Sequence, residues 1–232
     1  MLPRTRTRAF SLTELLVVIA LLLVLAVIAI PASRQATLIS RRSRCAGNLR
    51  EIGALMFLYL NDHQGVFPPG ATAKYKPDGE RSGTDYWTTY LIRNAALKDL
   101  RCFICPSVDK TKVQPDLLKN RGGHGYTSYA YNRYGVGNGV SDKHRPARLS
   151  KIDEPGKLLM LFDYETPTQP YVGWYLAARS QAQEDWDFYA DRHGGRVNVL
   201  FCDGHVESLN REQMLGPGTN DFPWATYKYT ER

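Results

Sequence analysis

Apolar residues follow two patterns along the chain. From Leu15 to Ile30 every residue is Leu, Val, Ile or Ala, and from Phe10 only Ser11, Thr13 and Glu14 interrupt the run. At about 1.5 Å per residue, 10–30 spans roughly 30 Å, the thickness of a bilayer hydrocarbon core. The pattern predicts a single membrane-crossing helix over 10–32. A cleaved secretory signal fits less well, because the run is longer than a signal's apolar core and only Pro31-Ala32-Ser33 offers a small-residue cleavage site.

The second pattern begins past Pro31, a residue expected to kink the helix rather than end it. Leu38, Cys45, Leu49, Ile52, Leu55, Met56, Tyr59 and Leu60 recur at spacings of three, four and seven, which places them on one helical face. Arg41, Arg42, Arg44, Arg50 and Glu51 fall mostly elsewhere. This predicts an amphipathic continuation over 33–62, ended by the breaker cluster Asn61-Asp62-His63-Gln64-Gly65. One helix from Phe10 to Leu60 would be roughly 75 Å long.

Residues 63–232 read as a β-rich globular domain. The stretch from Gly65 to Asp85 is polar and rich in Gly and Pro, and reads as loop; 85–100 reads as a short helix or strand–helix piece, and 102–115 as another loop. Alternation in YTSYAYNRYGVGNGV suggests a strand ending in a glycine-rich turn. KLLMLFDYE, bounded by Pro155-Gly156 and Pro167, reads as a central strand, and 186–209 as two or three antiparallel strands. The fold class expected is α+β, with the long N-terminal helix packed on an antiparallel sheet.

Length and charge refine this picture. A chain of 232 residues holds one ordinary domain plus an appendage. Its formal net charge is +7; Arg4, Arg6 and Arg8 precede the apolar run, and without them it is +4. With no basic–aromatic strip along one element, no nucleic-acid partner is expected. The three leading arginines favour a cytoplasmic N-terminus, but Arg34, Arg41, Arg42 and Arg44 follow the run, so charge alone does not orient it. Glu14 is the anomaly. An acid in a membrane helix costs on the order of 3 kcal/mol at the centre and less near the edge. It either reaches the headgroups or pairs with a cation.

AFSLTELLVVIA, behind the basic leader of 1–9, resembles the type IV prepilin processing signal. That resemblance implies cleavage by a prepilin peptidase between Ala9 and Phe10, N-methylation of Phe10, and a role for Glu14 in neutralising the terminal amine of a neighbouring subunit. The family usually carries Gly where this chain has Ala9. A buried acid does require a cationic partner, and the Phe10 amine is one. The C-terminal half adds a second resemblance. Nine residues separate His193 from Asp203-Gly204, similar to the His-x9-Asp-Gly domain that follows prepilin-type N-termini in bacterial pseudopilin-like proteins. NLREIG at 48–53, FPP at 67–69 and FICPS at 103–107 resemble other segments of that group. Together these imply a pilin-like fold and a pseudopilin or minor pilin, not an enzyme. They place it in the bacterial inner membrane with its globular domain periplasmic, assembled with other pilin-like subunits of a type II secretion or type IV pilus-like machine. The alternative is a membrane-anchored binding or adhesion module that does not polymerise.

Several constellations could carry chemistry. Cys45, Cys102, Cys105 and Cys202 allow three complete pairings if the compartment is oxidising, and Cys102–Cys105 could close a small loop. No cofactor is expected, but Cys102-x2-Cys105 with Cys202-x2-His205 has zinc-like spacing. Calcium would draw on acids such as Asp185 and Asp187, although no compact Asp-x-Asp-x-Asp array is present. A catalytic reading would need Asp163 or Asp203 partnered with His193 or His205 across strands. In HGGRVNVLFCDGH, Gly194-Gly195 and Asp203-Gly204 are expected to turn hairpins at the two ends of one strand. His193 and Asp203 would then lie roughly 20 Å or more apart, and the motif's spacing would measure a strand.

Overall fold

The computed structural model describes residues 11–75, 77–78, 81–108, 127–137, 146–164 and 191–215. The chain divides into two units, 1–40 and 41–232. Helix α1 (Leu12–Asp62) runs unbroken through Pro31. Ser11 caps its start. The Ser11 hydroxyl accepts the Glu14 N–H at 3.2 Å, while the Glu14 carboxylate accepts the Ser11 N–H at 2.9 Å. This reciprocal pair is a capping box, with Glu14 at the third helical position.

In the first unit the side chains from Leu12 to Ile30 are exposed along the whole helix circumference. An all-round apolar helix of this length can cross a bilayer. Leu38, expected on the buried face, is exposed too; the buried face begins at Cys45.

In the second unit, the α1 segment from Arg41 onward buries Cys45, Leu49, Ile52, Gly53, Met56, Tyr59 and Leu60. Its partner is a four-stranded antiparallel sheet of order β3-β4-β5-β6, built from β3 (Tyr129–Tyr131), β4 (Leu159–Asp163), β5 (Val197–Phe201) and β6 (Val206–Leu209). KLLMLFDYE thus supplies an inner strand. The α+β class expected from the sequence is the class observed.

Both faces of this sheet are covered, which is why β4 and β5 are buried at every position. Tyr129, Tyr131, Met160, Leu200 and Cys202 join the cluster that contains the α1 residues. Ala130, Leu159, Phe162, Val197, Val199 and Phe201 form a second core with Tyr164, Leu209 and Met214, the last from the short helix α3 (Arg211–Leu215). A register shift between Leu159 and Leu161 lets two consecutive residues, Met160 and Leu161, join the helix-side core.

The segment read as loop after α1 contains a two-stranded hairpin instead. Strand β1 (Ala71–Tyr75) pairs with β2 (Arg81–Tyr86), which leads directly into α2 (Trp87–Asn94). Its residues are small, polar or charged, so the strand signal is in the backbone pairing and not in an apolar alternation. FICPS begins at the last residue of a 3-10 turn, Arg101–Phe103, and is held to α1 by Asn48, whose side-chain amide donates to the Ile104 carbonyl at 2.9 Å.

Candidate functional site

Four side chains from four separate segments converge inside the second unit. Cys45 projects from α1, Cys105 follows the Arg101–Phe103 turn, Asp163 ends β4 and His193 ends a 3-10 turn at Asp191–His193. One ligand-capable atom from each lies within 4.8 Å of those of the other three. Relative exposures are 0% for Cys45 and Asp163, 1% for Cys105 and 3% for His193.

The apolar environment dictates a tight internal network. The Cys45 thiol donates to Asp163 Oδ1 at 2.8 Å and lies 3.1 Å from the Tyr129 hydroxyl. Asp163 Oδ2 accepts the Asn198 N–H at 2.9 Å and faces His193 Nε2 at 3.2 Å. His193 Nε2 is also 3.5 Å from Cys105 Sγ. Asn198 reaches back to α1, its side-chain amide donating to the Arg42 carbonyl at 3.3 Å. The network therefore ties helix, sheet and both loop segments together.

Protonation follows from these neighbours. Burial pushes the Asp163 carboxyl up, but hydrogen bonding and charge from His193, the Arg192 charge and the Cys45 hydrogen bond outweigh it and hold the acid below its ordinary value. Burial pulls the His193 imidazole down, yet Asp163 and Cys105 raise it to about 9. Burial likewise opposes ionisation of Cys105, but hydrogen bonds from Cys45 and His193 and the nearby Arg192 charge lower its thiol to about 5, against the repulsion of Asp163. Cys45 is driven the other way by burial, by Cys105 and by Asp163, and stays a thiol. Tyr129 is likewise held protonated by burial, with the Asp163 charge adding to it. The cluster thus favours a charged Asp163–His193 pair and disfavours ionisation of Cys45, with Arg192 close by.

This placement redistributes the residues singled out from the sequence. The proposed set Cys102, Cys105, Cys202 and His205 is not brought together; of the four, Cys105 alone enters the cluster. Burial raises the Cys102 thiol to about 12, with help from the charges of Glu51 and Asp99. Cys202 is buried in the helix-side core, and burial raises its thiol as well. His205 points outward, stacked on Phe201 with ring centroids 4.3 Å apart, and its Nδ1 lies 2.6 Å from Asp203 Oδ1. All four cysteines are free, so no Cys102–Cys105 bridge is formed.

The HGGRVNVLFCDGH segment divides in the same way. Asp203-Gly204 turns the β5–β6 hairpin, with Gly204 at φ +95°. Gly194 and Gly195, at φ +67° and +77°, do not turn a hairpin: they link the Asp191–His193 turn to β5. His193 and Asp203 have different partners, Asp163 and His205. The Asp163–His193 pairing that a catalytic reading required does form, but both side chains are wholly shut off from solvent. Ala9, Phe10, Asp185 and Asp187 lie outside the described residues. Glu14 is exposed at the start of α1.

Each member of the cluster stands out in the sequence, but the set does not. Cys45 sits on the apolar face of α1 among Leu49 and Ile52, and Asp163 ends a strand that is otherwise entirely apolar. An acid closing such a strand must find a partner inside, and that was the available signal.

Among known families, the prokaryotic N-terminal methylation motif matches residues 4–30. No curated protein and no solved structure matches the chain. The match covers Ala9, Phe10 and Glu14 and ends before the second unit, so the His-x9-Asp-Gly resemblance rests on the residues alone. At its N-terminus the chain is similar to that motif: three arginines, a small residue before Phe10, and a long apolar helix bearing one acid near its start.

Proposed function

We propose that this protein is a pseudopilin or minor pilin subunit of a type II secretion or type IV pilus-like filament in the bacterial inner membrane. The observation that carries the reading is the methylation-motif match at residues 4–30 on a helix that is apolar all round and long enough to span a bilayer. A prepilin peptidase removes 1–9 and methylates the new Phe10 amine. The globular domain is periplasmic. Assembly withdraws the apolar helices from lipid and packs them side by side, where van der Waals contact and polar pairing replace lipid contact. Glu14 is the acid available to a neighbouring subunit's terminal amine. Because that function is assembly, its partners are the peptidase and other pilin-like chains.

The test is the intact mass of the protein recovered from native membranes. Loss of residues 1–9 with gain of one methyl group is the expected result, and an intact leader overturns the reading. Crosslinks between the N-terminal helices of mature chains then separate a filament subunit from a solitary anchored binding module, which would yield none.

A further inference from the structure

We propose that Cys45, Cys105, Asp163 and His193 form a closed structural zinc site that fastens α1 to the sheet and to the FICPS segment. This inference is independent of the filament reading. Four features point to it. The donor set is two sulfurs, one imidazole nitrogen and one carboxylate oxygen, which suits a borderline-soft ion; calcium and magnesium require a shell of oxygens. The four atoms already converge within 4.8 Å. With Zn–N and Zn–O bonds near 2.0 Å and Zn–S near 2.3 Å, a tetrahedron has edges of about 3.3 Å between nitrogen and oxygen and about 3.5 Å between sulfur and nitrogen. The His193–Asp163 and Cys105–His193 separations are 3.2 and 3.5 Å. Cys45 Sγ lies 2.8 Å from the other carboxylate oxygen, Asp163 Oδ1, a hydrogen bond that gives way when the sulfur binds the ion.

The surroundings complete the case. Ligand orientation is fixed from outside by the Asn198 N–H on Asp163 and by the Tyr129 hydroxyl beside Cys45. Ligation needs both cysteines as thiolates and His193 as neutral imidazole, so binding the ion releases protons to solvent. Two thiolates, one carboxylate and a neutral imidazole around Zn²⁺ leave one net negative charge, and the Arg192 cation beside Cys105 and Asp163 balances it. Four protein ligands with no exposed face leave no position for substrate or water, so the role is structural. The segments it joins are far apart in sequence, at positions 45, 105, 163 and 193.

The experiment uses the full chain purified in detergent without chelator or added metal. Metal content is measured for the wild type and for Cys45→Ser, Cys105→Ser, Cys102→Ser and Cys202→Ser. One zinc per chain is expected in the wild type and in the Cys102 and Cys202 variants, and loss of zinc in the Cys45 and Cys105 variants. Where those two fail to fold, the wild type is exchanged into cobalt. Intense tetrahedral bands with thiolate-to-cobalt charge transfer are expected, and weak octahedral bands overturn the proposal. Wild-type protein without stoichiometric metal also overturns it, as does a Cys45–Cys105 disulfide found by thiol alkylation under denaturing, non-reducing conditions. Equal zinc loss in all four variants would refute the ligand assignment.

Discussion

His193 Nε2 and Asp163 Oδ2 lie 3.2 Å apart with both side chains wholly buried, joining the turn before β5 to the end of β4. Removing one member of such a pair strands the other in an apolar interior, at a cost of about 3–5 kcal/mol. His193→Leu and Asp163→Leu should each destabilise the fold by that order. The double variant should cost less than the sum of the two, because each single change already breaks the cluster that the two side chains share. Urea denaturation of the three variants measures the coupling, and strict additivity would mean that the pair does not act as a unit.

Gly204 turns the β5–β6 hairpin at φ +95°, and a Cβ placed there would lie 2.8 Å from Phe57 Cε2 on α1. Two penalties therefore fall on Gly204→Ala: a backbone conformation unfavourable for an L-residue, and a clash with the ring. The expected loss is about 1–3 kcal/mol. Adding Phe57→Ala should recover the steric part only, so Gly204→Ala should remain destabilising in that background when thermal melts are compared.

At Gly53, α1 packs directly on Leu200 of β5. A Cβ there would meet Leu200 Cδ1 and Cδ2 at 3.2 and 3.3 Å. Gly53→Ala sets a tight contact against a helix-propensity gain of about 1 kcal/mol, so stability should change by less than about 1 kcal/mol. Gly53→Val adds two further methyl groups against a buried leucine and should cost about 1–3 kcal/mol. Chemical denaturation distinguishes the two; a neutral valine would show that helix and sheet are less closely packed than these distances state.

What could be read from the sequence follows from how local each signal is. The membrane helix and its amphipathic continuation are carried by consecutive residues, and so was β4, whose apolar run spans one element. The β1–β2 hairpin carries no apolar alternation from Ala71 to Tyr86, so its residues read as loop. The buried cluster draws single residues from positions 45, 105, 163 and 193, and no spacing rule links them. Cys202-x2-His205 was misleading for a related reason. Strand alternation turns Cys202 into the helix-side core, and the hairpin turn carries His205 out to solvent over Phe201.

The hairpin turn has its own pH dependence. Burial nudges the Asp203 carboxyl up, but the His205 backbone N–H at 3.0 Å and the His205 ring outweigh it and hold the acid below its ordinary 3.8. A group whose folded value is depressed contributes stability above the unfolded value and loses it as pH falls through the folded one. The turn should therefore be at full strength above about pH 4 and loosen in stronger acid. Amide exchange at Gly204 and His205, corrected for intrinsic rates, should accelerate below that pH. In Asp203→Asn the acid-dependent acceleration should disappear.

Glu14 has two separable duties. Its carboxylate closes the capping box with Ser11, and its charge is the group proposed to meet a neighbour's amine. Glutamine at this position of a capping box still accepts the N-cap N–H, so Glu14→Gln removes the charge and keeps the cap. Glu14→Ala removes both, and Ser11→Ala disturbs the cap while leaving the charge. Caps of this kind contribute about 1 kcal/mol, small beside the apolar burial that holds the helix in a membrane. All three variants should therefore insert normally when membrane fractions are assayed. If charge pairing drives assembly, Glu14→Gln and Glu14→Ala should fall equally in crosslinked or sedimentable filament, while Ser11→Ala stays near wild type. Normal assembly of Glu14→Gln with loss in Ser11→Ala would assign the residue's role to helix capping and remove it from subunit pairing.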